Sequence, residues 1–339
     1  MCPFAGLALM AMQYNSIVIL GATATGKTAL GVYLARLIGG EIISADSRQV
    51  YRGLDIGSGK DLSEYGEVPY HLVDIADLQE EYNVFSFQRD VYRVFPEVIA
   101  RGRVPVIVGG TGMYLDAVIR GYSMIRVPEN EALRKELTGC SIEELSLRLL
   151  SLKNEVHNST DLLDRDRLIR AIEIAEYNRS HGTAIGSGNN PESDCVRSDA
   201  DDPAKARPDI RPLILGVRFE RPVLRARIKR RFDARLAEGL VHEVSVLHEN
   251  GANWERLERL GLEYRFTAEF LQGKIQNEKD YIDSLGTAIC QFAKRQETWF
   301  RGMERKGVTI HWIQDGKRED AVGILFPFFP LRQTPPIRQ

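Results

Sequence analysis

A chain of 339 residues that is 43% hydrophobic and 27% charged has a globular composition, with room for one large domain plus an insertion or for two modest domains. No apolar run approaches the roughly 18 residues of a membrane span, and 45 Lys and Arg against 47 Asp and Glu mean that any nucleic-acid surface must come from local clustering. The four cysteines, Cys2, Cys140, Cys195 and Cys290, show no C-x-x-C spacing, which argues against a zinc site or a disulfide framework and fits a reducing cytosol.

Residues 1–15 read as a disordered leader. MCPFAGLALMAM lacks the basic start of a signal peptide, and Met10 or Met12 is an alternative start. The run SIVIL (16–20) predicts a buried strand, followed by a Gly-rich turn and a helix over 27–37. EIISA (41–45) predicts a second strand ending at Asp46. A helix over 84–100, kinked at Pro96, leads to a third strand, VPVIV (104–108), which ends in Gly109-Gly110-Thr111-Gly112. Residues 126–177 carry Leu, Glu and Arg at helical spacing and no strand signal, so 126–179 is expected to be a helical insertion.

Residues 180–210 are rich in Gly, Ser, Asn, Asp and Pro, the composition of a mobile linker. A late strand (213–217), a basic helix (222–239), a long helix (281–305) and a closing strand (308–312) follow. The tail, 317–339, is expected to fray after Phe326. Strands alternating with helices predict an α/β fold, a P-loop NTPase-like parallel sheet flanked by helices with an inserted helical subdomain; the core is 16–125 together with 211–316.

The segment GATATGKT (21–28) is a P-loop. Gly21 and Gly26 let the backbone turn so that the amides of Ala22, Thr23, Ala24 and Thr25 line a phosphate cradle, and the following helix adds its positive end. Lys27 neutralises the terminal phosphate, and the Thr28 hydroxyl is placed to ligate Mg²⁺. Many reactions use this cradle, so it fixes phosphate binding and not the chemistry.

P-loop ATPases usually hold their metal through an Asp at a neighbouring strand end. Of the two strand ends available, one supplies Asp46 and the other ends in Gly-Gly-Thr. A carboxylate and a hydroxyl beside bound phosphate suit a general base and a hydrogen-bonding partner for a nucleophile. Asp46 as a plain magnesium ligand or an Asx-turn residue, and Thr111 as a helix N-cap, are the competing structural readings.

Basic residues cluster in three places. The helix at 222–239 places Arg227 and Arg231 four apart on one face, in reach of phosphates in the cradle or of an RNA backbone. Arg165, Arg167 and Arg170 lie in the insertion. Lys294, Arg295, Arg301, Arg305 and Lys306 are interleaved with Trp299 and Phe300, a pattern that suits RNA and equally suits a helix with a wet basic side.

Six blocks in order resemble the tRNA dimethylallyltransferase family: GATATGKT, ISADSRQVYRGLDIGSGK (43–60), VGGTGMY (108–114), DRDRLIRAIE (164–173), RIKRRFDARLAEGL (227–240) and FAKRQETWFRG (292–302). The resemblance implies transfer of a dimethylallyl group from dimethylallyl diphosphate to N6 of an adenosine beside the anticodon of tRNA. By it, Asp46 is the general base, Thr111 its hydrogen-bonding neighbour, and Lys27, Thr28 with Mg²⁺, and Arg227 or Arg231 stabilise the leaving diphosphate. It also implies a tRNA face of Asp46, Ser47, Arg48, Gln49, Thr111, Arg134, Asp166, Arg167, Arg170, Lys294 and Arg295. The family's Gly-Tyr-Arg block appears here as GLEYR (261–265) with two extra residues, and no carboxyl-terminal zinc finger is present, which points to a bacterial-type enzyme.

The partners so implied are the anticodon stem-loop and the allyl diphosphate, with no membrane; the expected state is a cytoplasmic monomer. Two rivals stay open on the sequence: an ATP-dependent small-molecule kinase, and a nucleotide-switched RNA-binding module without catalysis.

Overall fold

Six strands, all parallel, make one sheet in the order β3-β2-β4-β1-β5-β6. They are β1 (Ser16–Gly21), β2 (Gly40–Ser44), β3 (Tyr70–His71), β4 (Val104–Gly109), β5 (Pro212–Arg218) and β6 (His311–Gln314). The computed structural model describes residues 13–122, 127–152, 165–180 and 207–331. The first twelve residues of the expected leader and most of the expected linker, 181–206, lie outside them.

The central strands are apolar on both sides, as a sheet covered on both faces requires. Val18, Leu20, Ile43, Ile107 and Ile214 face one layer, where Phe87 and Phe95 of α2 (Val84–Ala100) and Phe300 of α11 (Glu278–Arg305) pack. Ile17, Ile19, Ile42, Val106, Val108, Leu213 and Leu215 face the other, against Leu30, Leu34 and Ile38 of α1 (Lys27–Ile38) and Ala321 and Leu325 of α12 (Arg318–Leu325). Pro96 sits inside α2, which is assigned as one helix through it.

Three sequence expectations change. The closing strand lies at His311–Gln314, three residues later than expected at its start, where it pairs in register with β5 (Leu215 with His311). β3 has two residues and went unseen, because so short an edge strand carries no periodicity. As far as residue 331 the tail is packed, with Phe329 buried in the layer under α12 and Phe328 meeting Tyr14 edge-on at 4.9 Å; 332–339 lie outside the described residues.

After β5 come α7 (Arg221–Glu238), α8 (Leu240–Glu249), α9 (Trp254–Arg259), α10 (Leu262–Leu271) and α11. Leu224, Ile228 and Phe232 of α7 join Tyr264, Tyr281 and Leu285 in a core that also takes up Val50, Tyr51 and Leu54 from the long loop after β2. The remaining core helix, α3 (Gly112–Arg120), follows β4.

The chain divides into two compact units, 1–122 with 203–339, and 123–202. In the second, α4 (Glu131–Leu137), α5 (Ile142–Leu152) and α6 (Arg165–Ser180) share a leucine core of Leu133, Leu137, Leu145, Leu149 and Leu168. Its polar hub is Glu173, whose fully buried carboxylate takes Arg134 Nε at 2.7 Å, Arg170 Nη1 at 2.9 Å and the Asn130 amide at 3.0 Å.

Burial alone would raise the Glu173 pKa, but the bonds from Arg134, the Asn130 amide and Arg170 outweigh it and hold the carboxyl down at about 2. A carboxyl depressed on folding contributes stability that is present above its unfolded pKa and lost as pH falls through the folded one. Second-unit stability is therefore expected to fall by about 3 kcal/mol between roughly pH 5 and pH 2. Glu173→Gln should abolish that acid dependence, read by hydrogen exchange of α4 and α6 across this pH range.

Candidate active site

Because β2, β4 and β1 are neighbours, the three segments that leave their carboxyl ends lie side by side, where ligands bind in open α/β sheets. The P-loop follows β1, Asp46 follows β2 and Thr111 follows β4.

In the P-loop, Gly26 caps α1 at φ 80° and Ala24 takes φ 61°, a left-handed backbone that is unusual for a residue with a Cβ. Its carbonyl accepts from Arg227 Nε at 2.8 Å, while the Arg227 guanidinium lies 4.4 Å from the Phe219 ring centre. Arg227 thus braces the loop from outside. Arg231, one turn on, donates to Thr23 Oγ at 3.3 Å.

The cations here are short of counter-charge. Burial, with the nearby Arg231 second, lowers the Lys27 pKa to about 8, although the Asp46 charge works against the shift. Burial, with Arg235 second, lowers Arg231 to about 10. Arg235 is committed to the Gly57 carbonyl at 3.1 Å and to Glu263 at 3.2 Å. Lys27 and Arg231 have no ion-pair partner among the described residues. Two underneutralised cations beside the amino end of a helix are the electrostatic form of an anion site.

Asp46 adopts the Asx-turn geometry considered from sequence: Oδ1 accepts from the Arg48 amide at 2.8 Å and the Gln49 amide at 3.4 Å. That leaves Oδ2 without a hydrogen bond among the described residues, so the turn orients the carboxylate and does not consume it. Thr111 occupies the N-cap position of α3 but makes no capping bond. Its Oγ instead accepts from the Ser47 amide at 3.3 Å, tying the end of β4 to the Asp46 loop and keeping its own proton to donate.

The remaining sequence candidates separate by placement. Ser47 and Arg48 are half-buried beside Asp46. Gln49 is buried, its amide held by Ser44 Oγ at 3.0 Å and the Gly59 carbonyl at 3.1 Å, which makes it scaffold. In the second unit, Asp166 and Arg167 are exposed, whereas Arg134 and Arg170 bind Glu173. Lys294 and Arg295 are exposed on α11, the basic outer side of a helix that buries Leu285, Ile289, Ala293 and Phe300.

Sequence reasoning missed three positions. Gln296 is buried on α11 and bonds both the P-loop and the end of β4; a glutamine inside the stripe Ala293, Gln296, Phe300 was the available signal. Glu243 takes the amides of Asp55, Ile56 and Gly57 at 3.0, 2.6 and 3.0 Å, and Tyr264 hydroxyl at 2.8 Å. The Tyr264 oxygen in turn accepts from the Ser58 amide at 3.1 Å. The GLEYR block therefore serves to hold the loop that starts at Asp46.

Residues 49–303 match the family model described as IPP transferase, and residues 14–67 match the one described as isopentenyl transferase. tRNA dimethylallyltransferase 2 of Treponema denticola is 54% identical, over 89% of this chain and 96% of its own. tRNA dimethylallyltransferase 1 of Geotalea uraniireducens is 53% identical, over 89% of this chain and 93% of its own. Among solved structures, the tRNA isopentenylpyrophosphate transferase of Bacillus halodurans matches with a TM-score of 0.61 at 31% identity, covering 89% of this chain and 90% of that one. A eukaryotic dimethylallyltransferase acting on tRNA shares the fold, with a TM-score of 0.71 at 22% identity over 94% of this chain and 81% of that one. From the P-loop to the end of its longest helix, the chain belongs to the IPP transferase family.

Proposed function

We propose that the protein transfers the dimethylallyl group of dimethylallyl diphosphate to N6 of adenosine 37 in the anticodon stem-loop of tRNA, releasing diphosphate. The observation that carries this reading is the pairing of underneutralised Lys27 and Arg231 with an oriented carboxylate, Asp46, on the next strand end but one. The cations suit a leaving diphosphate and the carboxylate suits an acceptor N–H. Family membership supplies the allyl group and the tRNA.

An aromatic amine is a weak nucleophile and an allylic diphosphate ionises readily, so stabilising the leaving group is the largest contribution. Lys27, Arg231 and the P-loop amides meet the charge as the C–O bond breaks, except the amide of Thr23, expected from sequence to join the cradle, which is donated to Gln296 Oε1 at 2.8 Å. Asp46 Oδ2 takes the N6 proton, and the Thr111 hydroxyl donates to the same region and holds the nucleophile in line. The Gly-Gly-Thr end of β4 offers no carboxylate to activate water, which protects the donor from hydrolysis.

Thr28 fits a Mg²⁺ beside the diphosphate. Thr23 and Thr25 spend their hydroxyls on Arg231 and the Ala22 carbonyl, whereas that of Thr28 has no partner among the described residues. The Thr28 hydroxyl would hold such an ion, which would supply charge screening of the diphosphate.

Of the two arginines, Arg231 is assigned to the diphosphate and Arg227 to bracing the loop. Arg231→Ala is expected to lower kcat/KM for the donor by roughly thirtyfold and Arg227→Ala by less, in initial-rate measurements; the opposite order would reverse the assignment.

On the core unit the residues offered to tRNA are Asp46, Ser47, Arg48 and Thr111 at the site and exposed Lys294 and Arg295; on the helical unit, taken by itself, they are exposed Asp166 and Arg167. Among the described residues no helix is long and apolar enough to cross a membrane, and we take the enzyme to work as a cytoplasmic monomer. A kinase is not favoured, since the relatives transfer a different group. Offering the protein Mg²⁺, unmodified tRNA, labelled dimethylallyl diphosphate and labelled ATP together decides between the two: label should reach tRNA from the allyl donor. Phosphorylation of a metabolite from ATP with no allyl transfer would reject the proposal.

A further inference from the structure

One buried amide joins the two halves of the site. Gln296 is 7% exposed. Its Oε1 accepts from the Thr23 amide at 2.8 Å, and its Nε2 donates to the Gly110 carbonyl at 2.8 Å. Thr23 belongs to the loop that cradles diphosphate, and Gly110 immediately precedes Thr111 on the acceptor side.

The packing around this bridge is tight. A Cβ on Gly110 would lie 2.5 Å from Gln296 Nε2, and one on Gly112 would lie 2.5 Å from Trp299 Cδ1. The side chains of α11 that sit three apart therefore lie against the two glycines that flank Thr111, and a methyl group at Gly110 would displace the Gln296 amide from its place. Burying an amide is favourable only when both ends are paired, and here each end is paired to a different catalytic segment. An apolar side chain of equal size would fill the space without the desolvation cost, so volume alone does not account for glutamine here.

We propose that Gln296 is a positioning residue for the transfer reaction: it fixes the separation between the diphosphate cradle and the strand end that carries Thr111. The proposal rests on the transfer reading above. Allyl transfer needs the ionising carbon and N6 at near-attack distance, and a displacement of about 1 Å costs up to roughly 10²-fold in rate. Because α11 also carries exposed Lys294 and Arg295, the helix that meets tRNA is the one that holds donor and acceptor in line.

Gln296→Met keeps the volume and removes both bonds; Gln296→Asn keeps both polar groups but is one methylene too short to span them. For each variant the measurements are single-turnover transfer at saturating substrates, donor KM, inhibition by inorganic diphosphate, tRNA affinity and thermal unfolding. Transfer should slow by roughly tenfold to 10²-fold while KM, diphosphate inhibition and tRNA affinity stay within about threefold. If Gln296→Met does not fold, Gln296→Asn carries the same expectation. Unchanged single-turnover rates, a rate loss matching the fraction unfolded, or a raised donor KM with kcat intact would each overturn the proposal. A wild-type protein that transfers no label would overturn the transfer reading and this proposal together, whereas an active wild type with an unimpaired variant overturns this proposal alone.

Discussion

Asp46→Asn is expected to lower kcat by about 10²- to 10⁴-fold, with tRNA affinity changed by less than about threefold. Asparagine has the shape of aspartate, and its carbonyl oxygen can still accept the Arg48 and Gln49 amides that orient Asp46 Oδ1. The loop, and with it Ser47 bonded to Thr111, should keep its form. What the variant loses is the basicity of Oδ2, the oxygen that the turn leaves free. Because the nucleophile loses its proton as the new bond forms, the loss belongs in kcat. Equal losses in kcat and tRNA affinity would instead leave Asp46 a tRNA contact without the role of base.

Lys27→Met is expected to cost on the order of 10²- to 10³-fold in kcat, because it removes the ammonium that the proposed reaction sets against the developing diphosphate charge. The same substitution should stabilise the ligand-free protein by on the order of 1 kcal/mol. In that state Lys27 is a burdened cation, lowered to about 8 by burial and by Arg231. Activity and stability thus move in opposite directions, as they do where a site is built for a charge that arrives with the substrate.

The sign of the pH effect follows from the lowered pKa. Between about pH 8 and the ordinary lysine value of 10.5, the unfolded chain binds the Lys27 proton and the folded chain does not. Stability from this group therefore rises with pH across that window, the reverse of a lysine held in a salt bridge. Inorganic diphosphate should return the pKa upward, so its binding near pH 9 should take up protons. Calorimetry in buffers of differing ionisation enthalpy reads this as the difference between the wild type and Lys27→Met, in which the diphosphate's own titration cancels. No difference in proton uptake between the two proteins would mean that Lys27 does not face the anion.

What the sequence revealed followed from strong periodicity and from motifs with short-range physics. β1, β2, β4 and β5 were legible because runs such as SIVIL and LILGV are apolar on both faces, and the P-loop because glycine and lysine spacing encode the turn itself. Two-residue β3 was not, and β6 was misplaced by three residues, since edge strands are held by register with a neighbour that spacing does not show. α12 was lost because the Pro and Phe residues around it suggested a loose end, yet Ala321 and Leu325 cover the sheet.

The site divides in the same way. Asp46 and Thr111 stood out as chemistry-bearing residues at strand ends, and the fold ties the two ends together through the Ser47 amide, a link that the sequence did not show. The resemblance implied Arg134 and Arg170 as tRNA contacts; their guanidiniums bind Glu173, a partner some forty residues away for Arg134 that no local pattern links to it. Gln296 went unread for a related reason. Its partners lie 273 and 186 residues away, and only the fold brings them to one amide.

The central claim is the transfer of an allyl group to one atom of one nucleoside. The direct measurement uses the full-length protein with Mg²⁺, labelled dimethylallyl diphosphate and either unmodified tRNA or the same tRNA with guanosine at position 37, followed by digestion to nucleosides and chromatography. Label should appear in a single N6-modified adenosine from the first tRNA, and none from the second. Equal labelling of both tRNAs, or label recovered only as the free alcohol, would contradict it.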